Sequence, residues 1–332
     1  MNPTLKAQPR QSASLFFAPI ARDLDETERI LRHSFDPARP GVGEFLQHLN
    51  HYKGKRLRPA LLLLTAQACG DVAPAHHVLA AVVEMIHTAT LVHDDVLDSA
   101  VMRRHVPTVN SLWGNQASIL LGDFLFTHAF HLSSTLDDPR ACRIIGEATN
   151  RVCEGELQQI CRRGRLDLSE AEYFDIIDAK TAELTACACK LGALFAGMNA
   201  ETVDQLTRYG RMLGMAFQIA DDVLDLVGEE RTAGKSLGTD LDQQKLTLPM
   251  IFLLQNAPAP QRRRVQTILT AEGNHKREAL LPELRAAGAL EYTRQKAESF
   301  ASAAFAALEC LPGSEARSIL EILADRVVHR DH

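Results

Sequence analysis

A chain of 332 residues is long enough for one large domain or two ordinary ones. Its 42 acidic against 36 basic residues, a formal net charge of −6, exclude the broad basic face of a nucleic-acid binder. Seven cysteines without a CxxC pair speak for reduced thiols in a cytoplasmic compartment rather than a disulfide framework, and no run of about 18 consecutive apolar residues offers a membrane span. In chain order, residues 1–13 read as a flexible tail. No acidic residue precedes Asp23, which is loosely transit-peptide-like, but the amphipathic Arg-rich helix of a targeting segment is missing. The rest, 14–332, reads as one all-α domain: the composition is rich in Ala and Leu, and alternating β-branched runs are absent, so no sheet is expected. Asp23–His33 is the first amphipathic helix. A basic turn, Gly54-Lys55-Arg56-Leu57-Arg58-Pro59, opens an apolar helix over Pro59–Cys69, and long helices follow over His76–His93 and Ala141–Arg162. Turn chemistry at Gly70–Pro74 and Asp137-Asp138-Pro139 separates them.

The most informative feature is a five-residue string that occurs twice, Asp94-Asp95-Val96-Leu97-Asp98 and Asp221-Asp222-Val223-Leu224-Asp225. On a helix the first and fifth residues share one face, a turn apart. Asp94 therefore stacks on Asp98, and Asp221 on Asp225, with Asp95 and Asp222 alongside. Like charges at that spacing destabilise a bare helix by roughly 0.2–0.5 kcal/mol, and apolar surroundings raise the cost. A divalent cation removes the conflict. Oxygen ligands with no Cys or His pattern nearby favour Mg²⁺, which takes one or two carboxylates plus substrate phosphates. A solvated acidic face explains one such string; two identical copies, each behind an apolar run, point to metal-assisted chemistry.

Cations that suit phosphate oxygens lie in several places. Lys53, Lys55, Arg56 and Arg58 crowd the basic turn, at the positive end of the helix it opens. Arg103-Arg104 follow the first acidic string closely. Lys180-Thr181 stand on a helix whose other residues are mostly small and apolar, and Gln218 lies three residues before Asp221, on the same face. Lys235 and Lys245 frame a loop after the second string. Gly228–Ser236 resembles the end of a P-loop, but its glycine spacing is wrong and it follows a helix rather than a strand.

These pieces together resemble the trans-isoprenyl (polyprenyl) diphosphate synthases, of the bacterial medium- and long-chain type, from about Leu15 to Arg330. The resemblance runs through Gly54–Pro59, Glu84–Asp98, Arg103-Arg104, Leu121-Gly122-Asp123, Glu154-Gly155-Glu156, Lys180-Thr181, Phe217–Asp225 and Lys235–Pro249. It implies a single-domain helical bundle around a deep central cavity, a homodimer, and Mg²⁺ as cofactor. The implied reaction is head-to-tail condensation of isopentenyl diphosphate with an allylic diphosphate (dimethylallyl, geranyl or farnesyl). Carried over by position, Lys55, Arg58, His87 and Arg104 hold isopentenyl diphosphate. Asp94, Asp98 and Asp221 ligate the metal, with Asp95, Asp222 and Asp225 completing the acidic set. Arg103, Lys180, Thr181, Gln218, Lys235 and Lys245 surround the allylic diphosphate. Three positions depart from the family pattern: Lys53, His105 and Gln244 each stand where a glycine is usual.

Product length is expected from the helix bearing the first acidic string, along which the chain grows in this family. Ala89 and Thr90, about one turn below Asp94, are small, and Met85 and Ile86 one turn lower are not rigid plugs. An open floor implies a medium- or long-chain all-trans product, C30–C50, of the kind used for quinone side chains, with a peripheral membrane contact for its release. The alternatives are a short-chain farnesyl or geranylgeranyl diphosphate synthase, a terpene cyclase and a non-catalytic regulatory subunit. Lys55, Arg58 and the intact second string argue against the last two.

Overall fold

The computed structural model describes residues 17–329 except 37, 39, 53, 229–236 and 272–274, so the expected tail, Lys53, Lys235 and most of the P-loop-like stretch lie outside the described residues. After α1 (Ala21–Ser34) and a helix α2 of about two turns (Gly43–Leu49) come two central helices, α3 (Leu57–Cys69) and α4 (Pro74–Leu97). In α3 Leu61, Leu62, Leu63 and Leu64 are all fully buried, so the helix is wetted on no face. Pro74 begins α4 at the one helical position that wants no N–H, and His76 Nδ1 accepts the Ala73 N–H at 2.9 Å. By length and composition α4 could cross a membrane, but 67% of that stretch is buried inside the protein, as a core helix is.

Helix α5 (Val109–Ser134) is interrupted at Gly114, where φ is 82°. The amphipathic α6 (Arg140–Arg162) buries Ala141, Ile145, Ala148 and Val152, a 3.6-residue stripe. A capping box between Ser169 and Glu172 starts α7 (Glu170–Ile177), which runs through one π-helical turn (Asp178–Ala182) into α8 (Glu183–Phe195). Asn199 accepts the Thr202 N–H to cap α9 (Ala200–Val227), the longest of the described helices. A single turn (Thr239–Asp242) then leads to α10 (Leu248–Asn256), α11 (Ala259–Thr270), α12 (Lys276–Ala286), α13 (Ala289–Ala307) and α14 (Glu315–Val328).

The fold is all-α, as expected. α9 runs between α8 and α13, α4 packs along α5, and α3 lies on α8, so one main core joins both helices that carry acidic strings. One correction concerns the absence of any sheet: Met102–Arg103 and Val106–Pro107 pair as a two-stranded antiparallel hairpin. Four strand residues are too few for an alternation pattern to register in the sequence. All seven cysteines are unpaired. Cys187 and Cys189 are both buried, and burial pushes each thiol up to about 12, so they serve as small core side chains.

Candidate active site

Both acidic strings fall at the C-terminal ends of their helices, where the backbone dipole disfavours carboxylates. Asp98 is the C-cap of α4, and its N–H closes on the Asp94 carbonyl at 2.8 Å. Nothing in helix formation calls for acids there, so another interaction must hold them.

The six carboxylates divide into two groups. Asp95 is fully buried, with Oδ1 accepting from Arg103 Nε at 2.8 Å and Oδ2 from the Tyr52 hydroxyl at 3.2 Å. Asp222 is equally enclosed: the Tyr173 hydroxyl donates to it at 2.6 Å and Gln218 Nε2 at 2.8 Å. Burial, with Asp240 close by, holds Asp222 well above the usual carboxylate range. Buried Asp225 accepts from Thr239 Oγ1 at 3.0 Å and from the Asp240 N–H at 3.3 Å, tying α9 to the turn that follows it. Asp94, Asp98 and Asp221 are only partly buried. Burial raises Asp94 to about 6, with Lys180 opposing that shift and Glu156 and Asp98 adding to it. Asp98 Oδ1 accepts from Lys245 Nζ at 3.1 Å, and Arg163 Nη2 lies 3.5 Å away. The loop after the second string thus reaches the end of the first.

The π turn sets the cation between them. A π turn inserts one residue into the helical ladder and is common where a side chain must be re-aimed. Here it carries Lys180 and Thr181. Lys180 Nζ is paired with Glu156 and donates to Gln159 Oε1 at 2.7 Å. Thr181 Oγ1 donates to Gln218 Oε1 at 2.9 Å, which links the turn to α9 and, through the Gln218 amide, to Asp222. Gly155 permits the arrangement: a Cβ there would sit 2.6 Å from the Lys180 backbone nitrogen. Asp178 and Glu183 at the two ends of the turn are clamped by Arg151 and Arg211, with three of the four contacts at 2.7 Å. A cavity of about 100 Å³ beside this turn is lined by Lys180, Gln218, Asp222, Asp240, Lys245 and Arg163, among others.

A second, mainly basic cluster lies near the start of α3, with buried Glu84 among its cations. His87 is held well below its usual range, first by burial and then by Arg58, Arg104, Arg103 and Arg56. A neutral imidazole among guanidiniums can donate one N–H and adds no charge. Arg56 is already neutralised by Glu28 at 2.5 Å and Glu84 at 2.7 Å. Arg58 keeps a buried Nε with no hydrogen-bond partner, a donor aimed at something the protein does not supply. Arg104 donates to the Tyr52 carbonyl, and Gly54 makes room for it: a Cβ at Gly54 would meet Arg104 Nη1 at 2.5 Å. Lys55 is exposed on the same turn.

Backbone strain gathers around these groups. The positive-φ residues other than glycine are Arg56 (50°), Ser99 (50°), Arg104 (51°), His105 (66°) and Gln244 (56°) among the described residues. Arg104 and His105 form the two-residue turn of the hairpin, with left-handed φ at both central positions as a tight hairpin requires. His105 and Gln244, two of the three departures from the family pattern, therefore keep the backbone a glycine would adopt. Of the expected chain-length residues, Met85, Ile86 and Ala89 are buried in the main core, while Thr90 is half-buried and donates to the His87 carbonyl at 2.8 Å.

Tyr52, Gln159, Arg163 and Tyr173 take part in the site without having been singled out from sequence, and Glu84, Glu156 and Asp240 lie in the motifs quoted above without a role having been assigned to them. Glu156 and Gln159 share the face of α6 that meets Lys180, a spacing legible once Lys180 is suspected. The two tyrosines carry no local signal.

Residues 39–284 match the model of the polyprenyl synthetase family. The chain belongs to that family. It is 40% identical over 279 residues to an octaprenyl diphosphate synthase of Escherichia coli, covering 84% of this chain and 86% of that one. It superposes on a decaprenyl diphosphate synthase of Rhodobacter capsulatus with a TM-score of 0.90 at 35% identity, covering 96% and 99% of the two chains. A polyprenyl synthase of Caulobacter crescentus, complexed with calcium and isoprenyl diphosphate, also gives 0.90, at 34% identity over 98% of this chain and 100% of the other. The chain is thus a trans-isoprenyl diphosphate synthase in family and a prenyltransferase in reaction class.

Proposed function

We propose that this prenyltransferase condenses isopentenyl diphosphate head-to-tail, 1′-4, with an allylic diphosphate to build a medium- to long-chain all-trans polyprenyl diphosphate. The observation that carries the reading is the pairing of two sites of different chemistry. One gathers Asp94, Asp98, Lys180 and Lys245, and the other gathers Arg58, Arg104 and His87 around buried Glu84, with cations in excess. A diphosphate that leaves needs charge neutralised as its bond breaks; a diphosphate that stays needs only to be held.

The donor set fits Mg²⁺. Asp94, Asp98 and Asp221 are oxygen ligands, partly exposed, at helix ends that disfavour their charge. Among the described residues no three His, Cys, Asp or Glu side chains come together closely enough to hold a metal ion by themselves, so phosphate oxygens of the substrate would have to complete the set. One or two carboxylates plus substrate phosphates is how this ion is usually bound. Asp94, Asp98 and Asp221 are the residues that would hold the ion, and the chemistry it would supply there is stabilisation of negative charge on the leaving diphosphate. Lys180, aimed by the π turn, adds a cation at that group, and Thr181 and Gln218 fix its surroundings. Arg58, Arg104 and His87 keep isopentenyl diphosphate in place while its double bond attacks the allylic cation. Among the described residues of the two clusters none is an evident general base, and the departing diphosphate is the group proposed to take the proton. Asp95, held by Arg103 and Tyr52, orients the end of α4 and the hairpin rather than ligating the ion. Burial of the apolar faces around Ala89 keeps water from the cation.

Long products are supported by the small side chain of Ala89 and by the octaprenyl and decaprenyl synthases among the similar proteins. A helical turn rises about 5.4 Å, close to one isoprene unit, so an open floor admits roughly C30–C50. A homodimer is supported by exposed Leu112, Ile119 and Leu120 on α5 and Leu157 on α6, which a second copy would cover. The free thiols suit a cytoplasmic enzyme. The test is chromatography of dephosphorylated products from labelled isopentenyl diphosphate with dimethylallyl, geranyl or farnesyl diphosphate, with and without Mg²⁺. A dominant C15 or C20 product overturns the length, and hydrocarbon from farnesyl diphosphate alone overturns the reaction.

A further inference from the structure

We infer that Arg163 is a further binding residue for the diphosphate of the allylic substrate, beside Lys180 and Lys245. The inference rests on the function proposed above. Arg163 is the C-cap of α6, and the next residue fixes it in place: Gly164, with φ 78°, donates its N–H to the Gln244 carbonyl at 2.9 Å. The end of α6 is thereby joined to the loop that follows the second acidic string. The Arg163 side chain is 31% exposed and lines the same cavity as Lys180, Gln218 and Lys245.

Its hydrogen bonding is incomplete in a particular way. Nη2 reaches Asp98 Oδ1 only at 3.5 Å, and that oxygen already accepts from Lys245 at 3.1 Å. Arg163 Nε is shielded from solvent and has no partner. Two cations share one carboxylate oxygen, and on the guanidinium edge formed by Nε and Nη2 the Nε donor is unused while Nη2 is held only at 3.5 Å. That edge offers two parallel N–H donors, the geometry that matches two oxygens of a phosphate. Lysine could not supply it. The other expected cations on this side do not duplicate the role, because Lys180 is engaged by Glu156 and Gln159 and Lys245 by Asp98.

The test measures equilibrium binding of farnesyl thiodiphosphate, an uncleaved allylic analogue, and of isopentenyl diphosphate, both with Mg²⁺. The proteins are wild type, Arg163→Gln, Arg163→Lys, Asp98→Asn and the Arg163→Gln/Asp98→Asn double variant. Loss of a charge-assisted bond predicts roughly tenfold weaker thiodiphosphate binding in Arg163→Gln, with part of it regained in Arg163→Lys. The same factor should separate the double variant from Asp98→Asn, and isopentenyl diphosphate binding should change less than about twofold. Wild-type affinity in Arg163→Gln overturns the assignment. So does an effect that vanishes in the Asp98→Asn background, since Arg163 would then act only by holding Asp98. If wild type binds neither diphosphate, the reading of the whole site falls and this proposal with it.

Discussion

Asp94, proposed above as a metal ligand, opposes the fold that carries it. Its folded value of about 6 lies above the ordinary 3.8, chiefly through burial. A carboxyl with a raised folded value binds its proton more tightly in the native state. Its stabilising contribution is therefore full below about pH 3.8 and is lost as the pH rises through about 6. At pH 7.5 the charged form costs the fold at most roughly 2–3 kcal/mol, at about 1.36 kcal/mol per unit. Asp94→Asn should accordingly raise the melting temperature in EDTA at pH 7.5 by a few degrees and by only about half as much at pH 5. It should also lower turnover by several orders of magnitude, on the order of what a lost metal ligand removes. Thermal melts at the two pH values check this, and destabilisation at pH 7.5 would mean that the attraction of Lys180 outweighs burial. The two cationic sites should separate kinetically. Arg58→Ala should raise KM for isopentenyl diphosphate roughly tenfold with kcat little changed, because that diphosphate gains no charge in the reaction. Lys180→Ala should instead depress kcat, because its partner does. Steady-state kinetics with the effects exchanged would show that the two diphosphate sites are swapped.

Elements, rather than residues, decide where Lys180 points. The sequence announced a lysine on an apolar helix and gave no hint of the π turn beneath it, since an inserted residue leaves no local signature. The clamp is chain-spanning: Arg151 from α6 and Arg211 from α9 grip Asp178 and Glu183, and each arginine lies far in sequence from the two carboxylates and from the other arginine. Removing Arg211 leaves two carboxylates on one guanidinium. The groups are partly exposed, Arg211 at 28%, so screening limits the loss to about 1–2 kcal/mol. Arg211→Met should also let the turn relax toward α-helix, which would swing Lys180 away from Asp94. We expect kcat to fall about tenfold with KM for isopentenyl diphosphate unchanged, the split that marks a positioning role. A lower melting temperature with normal kcat would leave the clamp purely structural. The hairpin gives the converse lesson. His105 stands where glycine is usual, and the left-handed φ of 66° is nevertheless kept, because strand pairing on both sides over-determines the turn. The departure looked disruptive in the sequence, but a backbone held at both ends tolerates about 1–2 kcal/mol of local strain.

For the whole molecule, periodicity and caps made the helices legible: expected spans at Pro59–Cys69, His76–His93 and Ala141–Arg162 are contained in Leu57–Cys69, Pro74–Leu97 and Arg140–Arg162. The acidic strings and basic clusters were legible because charges in apolar runs are conspicuous. What was illegible was the division of labour among them. Asp95, Asp222 and Asp225 look identical in sequence to Asp94, Asp221 and Asp98. Only tertiary partners such as Tyr52, Tyr173 and Thr239 occupy the first three. The same limit applies to product length, which depends on the space between helices. Ala89 is fully buried in the main core beside Met85 and Ile86, on the helix that ends at the first acidic string. A growing chain that follows α4 inward must pass its methyl group. Ala89→Phe adds a ring that either fills that path or strains the core, the latter costing about 1–3 kcal/mol. If the path runs there, the ring acts as a floor. The first condensations should proceed while the product distribution shifts down by several isoprene units, toward C15–C20, at roughly one unit per 5.4 Å turn closed. Chromatography of dephosphorylated products, alongside a melt showing that the variant is folded, reads both consequences at once. A folded Ala89→Phe protein whose product length is unchanged would place the elongation path on another face of the bundle.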